Sequence, residues 1–542
     1  MASVDPSADA SPVSSGDPSI VGISPGAYAR RREAVLDRLD GDVMVLLGAP
    51  MRFRSRDTEY RYRPDSELFY LTGITEPGVV AWLGDVGEGS DEGSDGDPGD
   101  GSDQEPGEGS GPDRERFVLF VRARDPEAER WSGPWVGPAE AAERFGADAA
   151  YPLEELESRL PGLLEKPPRI HYRLGVDDRS QALVLRALEG ARRKGPRKGI
   201  GPRVVVDPGE ILDELRLRKD EEEIALIRRA AEITVEGFRE ALGSVGPGVG
   251  EWEIEAALES GFRRRGARGA AFPTIVGAGP NACYLHYLQN DRRMAAGELV
   301  LVDGGADVGH YHGDVTRTVP VGGGFTAEQR ALYEIVEAAR RVAVETVEPG
   351  ATVEDVHRSA LDVLVEGMLE LDLLKGVKDE ILEEEAYKLF YPHSTSHWLG
   401  LDVHDPGDYA RDGESRVLEP GMVLTIEPGL YVPEPGAAFP GRRARNAEDG
   451  EDGKAADGSG DGGGAGDGGG GSGAREGGCG GAVAGDLRRF SGNAVERFAG
   501  IGIRIEDDVL VTEEGRENLT ADLPTAPDEM AELVGRGGGG PP

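Results

Sequence analysis

Cysteine is nearly absent from this chain: Cys283 and Cys479 are the only two in 542 residues, and they lie far apart. That excludes a disulfide framework and a zinc ribbon, and it fits a reducing cytoplasm. Long apolar runs are missing too; none approaches the roughly eighteen residues of a membrane-spanning helix. The opening MASVDPSADASPVSSGDPS has neither a cationic start nor an apolar centre, so it reads as no secretory signal. Lysine is scarce, with eight among 60 Lys and Arg residues, against 101 Asp and Glu, and the formal net charge is −41. Nucleic acid and anionic membrane surfaces repel such a chain, which excludes both as partners. Abundant acid with few lysines suits a salty cytoplasm, where screening tames self-repulsion; arginine-rich coding plus acidic linkers gives the same composition.

Histidine is also sparse, yet three of the eight fall in HSTSHWLGLDVHDPG, residues 393–407. His393, His397 and His404 in one window, spaced by glycine and aliphatics, suit metal ligation or proton donation by neutral imidazoles. Spacing alone does not assign the roles.

Residues 1–24 are rich in Ser, Pro, Asp and Ala and read as a disordered tail. Two internal segments, 87–113 and 436–487, are Gly-, Ser- and Asp-rich with almost nothing that could build a core. Strand-like text flanks each, so both read as disordered insertions at hairpin tips, which loop-closure entropy tolerates. Two blocks remain. Residues 25–206 alternate helical text (YARRREAVLDRLD, PAEAAERFG, SQALVLRALEGARR) with short apolar strands (DVMVLLGA, ELFYLTGI, RFVLFVRA, RIHYRLGV), the pattern of an α/β domain. Residues 215–530 open on an amphipathic helix over 216–242. They then mix helices with the strands GELVLVDGGADV, YHGDVTRTVPV, GMVLTIEPGLYV and GIGIRIEDDVLVT, the pattern of an α+β domain.

Each of those four strands carries an acid in apolar surroundings. Asp303 shares a strand face with Leu299 and Leu301; Asp314 shares one with Thr316 and Thr318. Glu427 follows Leu424 and Ile426, and Glu506 shares a face with Gly502 and Arg504. An isolated acid at a strand end is ordinarily exposed or matched to arginine. Four buried ones would be costly without a shared cation. Four carboxylates with an imidazole make a hard, oxygen-rich set that suits Mn²⁺, or Fe²⁺, Co²⁺ and Zn²⁺, and two ions rather than one.

In order and context, Asp303, Asp314, His397, Glu427 and Glu506 resemble the ligands of the dinuclear metallopeptidases of pita-bread fold. Within these, the text TIVGAGPNACYLHY, DGGADVGHYHGDVTRTVPV, SHWLGLDVHD, LEPGMVLTIEPGLYV and GIGIRIEDD looks most like aminopeptidase P. YRYRPDSELFYLTGITEPG is similar to the start of that family's amino-terminal domain. The resemblance covers roughly 25–530 apart from the two insertions. It implies an α+β pita-bread catalytic domain behind an α/β domain, and two divalent ions, foremost Mn²⁺. It implies removal of an N-terminal residue from peptides with proline second, through a hydroxide bridging the metals. Asp303 would chelate one ion, Asp314 and Glu506 would bridge both, His397 would bind one, and Glu427 would be ligand and general base. His286, His393 and His404 match active-site histidines that hydrogen-bond the substrate or intermediate, and Arg504 matches an arginine close by. A homo-oligomer, dimer or tetramer, is implied as well. Ser394 departs from the glycine common at that position. Tyr431 reads as strand core, His310 and His312 as exposed, and His171 and His357 as structural. The rivals are an Xaa-Pro dipeptidase (prolidase) with the same ligands, a non-catalytic pita-bread binding protein, and a creatinase-like metal-free hydrolase; the last two would lack the acids.

Overall fold

The computed structural model describes residues 22–85, 115–194, 201–434 and 489–534. Most of the tail 1–24, the insertions 87–113 and 436–487, and Cys479 lie outside the described residues.

The apolar runs of the first block form a six-stranded mixed sheet. Its order is Ala149–Pro152, Phe117–Val121, Val80–Gly84, Val43–Leu47, Arg169–His171, Val204–Val206. Strand periodicity divides their side chains between two cores. Val43, Val45, Trp82, Val118 and Phe120 face Val184, Ala187 and Leu188 of the helix Asp178–Lys194. Met44, Leu46, Ala81, Leu83 and Leu119 face the other way, into a core shared with Leu226, Ile227, Tyr311, Leu399 and Leu401 of the second block. With both faces covered, the strands Val43–Leu47, Val80–Gly84 and Phe117–Val121 are apolar throughout rather than alternating. Val80–Gly84 and Phe117–Val121, which flank the first insertion, pair antiparallel with Leu83 opposite Phe117.

Two elements differ from the sequence reading. ELFYLTGI is not a strand; Ser66–Thr72 is a helix, because the Asp65 side chain caps it by accepting from the Leu68 amide and Gly73 ends it in the left-handed region. The helix expected over 216–242 is two, Gly209–Leu217 and Glu221–Leu242. Asp220 and Glu223 form a capping box that starts the second one afresh.

In the second block, Glu221–Leu242 packs on Glu251–Arg264, and Ala327–Thr346 packs on Val353–Glu370. These helices cover short antiparallel sheets. The four strands read as continuous are all broken at or near their acids. Leu299–Gly304 pairs with Val315–Pro320, while Ala306–Val308 pairs with Tyr311–His312 in another sheet. Val423–Ile426 pairs with Asp507–Thr512, while Gly429–Val432 pairs with Ile501–Arg504. Each strand therefore changes partner in mid-course, and the changeover points converge. Among the described residues no helix is long and apolar enough to cross a membrane.

Candidate metal centre and active site

Asp303 and Thr316 face each other across the ladder of Leu299–Gly304 and Val315–Pro320, with Asp314 one residue ahead of the second strand. Glu427 follows Val423–Ile426, and Glu506 occupies the break between Ile501–Arg504 and Asp507–Thr512. His397 comes from the irregular segment beside them; its amide donates to Thr425 Oγ1 (3.2 Å), and its carbonyl accepts from the Thr425 amide (2.9 Å). The ligand-capable atoms of Asp314, His397 and Glu506 lie within 4.8 Å of one another. Glu427 Oε1 is 3.8 Å from His397 Nε2, and Asp314 Oδ2 is 3.4 Å from it. Asp303 stands beside this group, one oxygen held by Arg504 Nη2 and the other, Oδ1, buried without a hydrogen-bond partner.

So many buried carboxylates cannot all be ionised by themselves. Burial, then the charge of Asp303, raises the Asp314 carboxyl well above its usual range. Burial, then Asp314, does the same to Glu506, and burial raises Glu427. The imidazole of His397 is oriented: its Nδ1–H donates to the Trp398 carbonyl (3.1 Å). That leaves Nε2 aimed at Asp314 and Glu427. Buried carboxylates converging with an imidazole nitrogen make the donor set of a hard divalent cation. Together with the orphaned Asp303 Oδ1, this fits the residues to divalent metal.

Around the acids runs a polar wall. Arg504, 4% exposed, donates from Nε to Thr316 Oγ1 (3.0 Å) and from Nη1 to the Tyr431 hydroxyl (3.1 Å). Thr316 in turn donates to Glu506 (2.6 Å). His393 donates from Nδ1 to the Ser394 carbonyl (2.8 Å), so its Nε2 accepts from the Tyr431 hydroxyl (3.0 Å). Burial, then Arg504, pushes the His393 pKa down to about 3. His404 stands edge-on to His397, ring centroids 4.4 Å apart. One side of it is open to solvent, but the protein packed on its other sides, then His397 and His286, lower its pKa to about 4. His286 lies exposed on the loop after Gly279–Cys283, close enough that its charge opposes protonation of His393 and His404.

The reading of Tyr431 as strand core holds: it is buried in the strand Gly429–Val432, packed with Ile275, Tyr287 and Leu301. The sequence does not show that its hydroxyl also joins Arg504 to His393, which follows from the pairing of that strand with Ile501–Arg504. His310 and His312 were read as exposed, and both are buried, at 4% and 3% exposure. The first block covers His310: its Nδ1 lies 3.4 Å from Arg63, and its ring packs on Phe69. Burial depresses both to about 3. His171 pairs with Asp42 in the first block (3.3 Å) and His357 with Thr395 (2.8 Å). Asp508, missed in the sequence, is fully buried and accepts from the Asp314 amide (3.1 Å).

Known proteins share this arrangement along nearly the whole chain. The model of metallopeptidase family M24 matches residues 225–513, and that of the aminopeptidase P N-terminal domain matches 28–171. An Xaa-Pro aminopeptidase of Escherichia coli (strain K12) is 35% identical over 514 residues, covering 94% of this chain and 98% of the relative. One of Haemophilus influenzae is 30% identical, covering 93% and 96%. Among solved structures, Pseudomonas aeruginosa aminopeptidase PepP superposes with a TM-score of 0.77 at 34% identity, covering 95% of this chain and 99% of that one. A zinc-substituted E. coli aminopeptidase P in complex with product gives 0.76 at 35%, covering 95% and 98%. The fold is thus an α+β pita-bread domain preceded by an α/β domain, and the chain belongs to metallopeptidase family M24.

Proposed function

We propose that this chain is an Xaa-Pro aminopeptidase, a metal-dependent hydrolase that releases the first residue of peptides with proline second. The observation that carries the reading is the convergence of His397 Nε2 with the buried carboxylates of Asp314, Glu427 and Glu506. Asp303, Asp314, His397, Glu427 and Glu506 would hold two divalent cations. When bound, these would bring the pKa of water toward neutrality and polarise the scissile carbonyl. Glu427, with 18% of its side chain exposed, faces the cleft and takes the proton from the attacking water as general base. His404 makes no hydrogen bond within the described residues and is neutral at pH 7, so its one N–H is free to donate to substrate. His393, both nitrogens engaged, forms wall together with Arg504, and His286 lies at the rim. Proline in second place gives a tertiary amide with no N–H, which a general aminopeptidase that relies on that N–H would reject.

Manganese is the ion best matched to this oxygen-rich donor set. A salty cytoplasm as the working medium rests on the net charge of −41 and the scarcity of lysine. A homo-oligomer, dimer or tetramer, rests on the family resemblance.

Substrate choice is the test. A tripeptide of the Arg-Pro-Pro type and an Xaa-Pro dipeptide are each incubated with the Mn²⁺-loaded protein, and products are separated by chromatography. Release of the first residue from the tripeptide is expected. Cleavage of the dipeptide alone would make the protein a prolidase, and cleavage of neither would leave only a binding role.

A further inference from the structure

His404 is carried by a segment with no regular secondary structure, Leu401 to Asp405. One side of that segment borders a cavity of about 460 Å³ between the two blocks, lined among others by Leu46, Gly48, Tyr172 and His404 itself. Apolar packing therefore does not fix the segment on that side. Charges do. Asp405, 5% exposed, accepts from Arg216 Nη2 (2.6 Å), Lys219 Nζ (3.1 Å) and the Asp402 amide (3.1 Å). Asp402 accepts from Arg216 Nη2 on one oxygen (2.7 Å), and from Arg63 Nη2 (2.9 Å) and Ser66 Oγ (2.8 Å) on the other. Arg63 Nη2 also bonds the Leu401 carbonyl (2.6 Å).

Two features set this cluster apart from ordinary surface pairing. Arg216 and Lys219 are buried, at 3% and 5% exposure, and Lys219 is one of only eight lysines in a chain otherwise supplied with arginine. Buried ion pairs add little net stability over apolar packing, so their return is fixed geometry. The geometry fixed here is that of the two acids bracketing His404. Arg63 and Ser66 belong to the first block, so the hold on the segment crosses between blocks.

We infer that Asp402 and Asp405, clasped by Arg216, Lys219 and Arg63, are positioning residues for His404, and that the first block thereby sets how that imidazole meets the substrate. The inference rests on the donor role given to His404 above. Arg216 draws Asp402 and Asp405 together at their carboxylates, which tightens the turn between them and turns the His404 ring toward His397. Arg63 then ties the start of the turn to the first block. A placement error of an ångström in such a group costs rate rather than binding.

A mutant cycle tests this. Asp402→Asn keeps the side chain's shape, and at 37% side-chain exposure the site can rehydrate. Steady-state kinetics on the tripeptide are measured for wild type, D402N, H404A and the double variant, with metal content and Tm alongside. The expected result is a kcat for D402N lower by about tenfold or more, with KM and metal content little changed. In the H404A background, D402N is expected to add no further loss. Arg63→Met, whose side chain is 40% exposed, is expected to give the same pattern more weakly, and it carries the cycle if D402N does not fold. Equal losses in both backgrounds, or an unchanged kcat, would overturn the positioning role while leaving that of His404 intact. A wild-type kcat in H404A alone would remove the role of His404 and the inference with it.

Discussion

Tyr431 donates to His393 and accepts from Arg504, and Arg504 clasps Asp303. One hydroxyl thus couples His393, through Arg504, to Asp303. Tyr431→Phe leaves Arg504 Nη1 and His393 Nε2 buried and unpaired. The variant should lose about 1–3 kcal/mol of stability, read by urea denaturation. Its kcat should fall by about tenfold or more as the Arg504 fork loosens; an unchanged kcat would show that the hydroxyl serves packing only. The acids themselves were legible because carboxylates in apolar strands demand a partner, and the resemblance singled out His397, the histidine that converges with Asp314 and Glu506. The core position of Tyr431 was legible, but the partners of its hydroxyl were not, since Arg504 is 73 residues away. The burial of His310 was not legible for a similar reason, since nothing local reveals that Phe69 and Arg63 of the first block lie against it.

Elements place these residues by breaking. A straight strand from Leu299 to Val308 would carry Asp303 away from Asp314; the chain instead switches sheets at Gly305. A Cβ on Gly305 would collide with the Gly313 carbonyl oxygen, so only glycine allows the two crossing segments to meet there. Gly305→Ala is expected to cost about 3 kcal/mol or more, among the larger effects of a single substitution. It should also weaken metal binding, because Asp303 and Asp314 flank the crossing. Denaturation and equilibrium metal binding check both, and wild-type values for either would refute the argument. The sequence carried the apolar runs and the acids on them but not the changes of partner. Those changes are tertiary contacts, invisible to a period of two residues. Caps explain the other misreadings: Asp65 starts a helix inside an apolar run, and Asp220 restarts one that periodicity had joined.

At the scale of the whole molecule, the two blocks share one apolar core and a dense set of charges at their junction. Arg173 there faces Glu67 (3.0 Å from Nε), Asp207 (3.3 Å) and Asp213 (3.7 Å). One guanidinium cannot balance three carboxylates. Burial, then Asp65, raises the Glu67 pKa from 4.5 to about 7, against the pull of Arg173. A carboxyl raised in the folded state supports folding below its ordinary pKa. That support is lost as pH rises through the folded value. Glu67→Gln cannot titrate, so its stability relative to wild type should grow between pH 5 and pH 8 by on the order of 2–3 kcal/mol. Urea midpoints across that range measure it; a constant difference would place the Glu67 pKa near its ordinary value. The two-block plan was readable from alternating and mixed patterns of elements. The junction was not, because its ion pairs join residues as far apart as Arg63 and Asp402.

All of this converges on five side chains and the cations we propose they hold. The most direct measurement adds Mn²⁺ stepwise to metal-free protein and follows bound ion and tripeptide turnover together, in wild type, Asp314→Asn and Glu427→Gln. The wild type should bind two ions per chain and regain turnover with them; Asp314→Asn should lose ions and turnover together, and Glu427→Gln should lose turnover. Turnover that survives chelation, or that persists in Asp314→Asn without bound ion, would contradict the account.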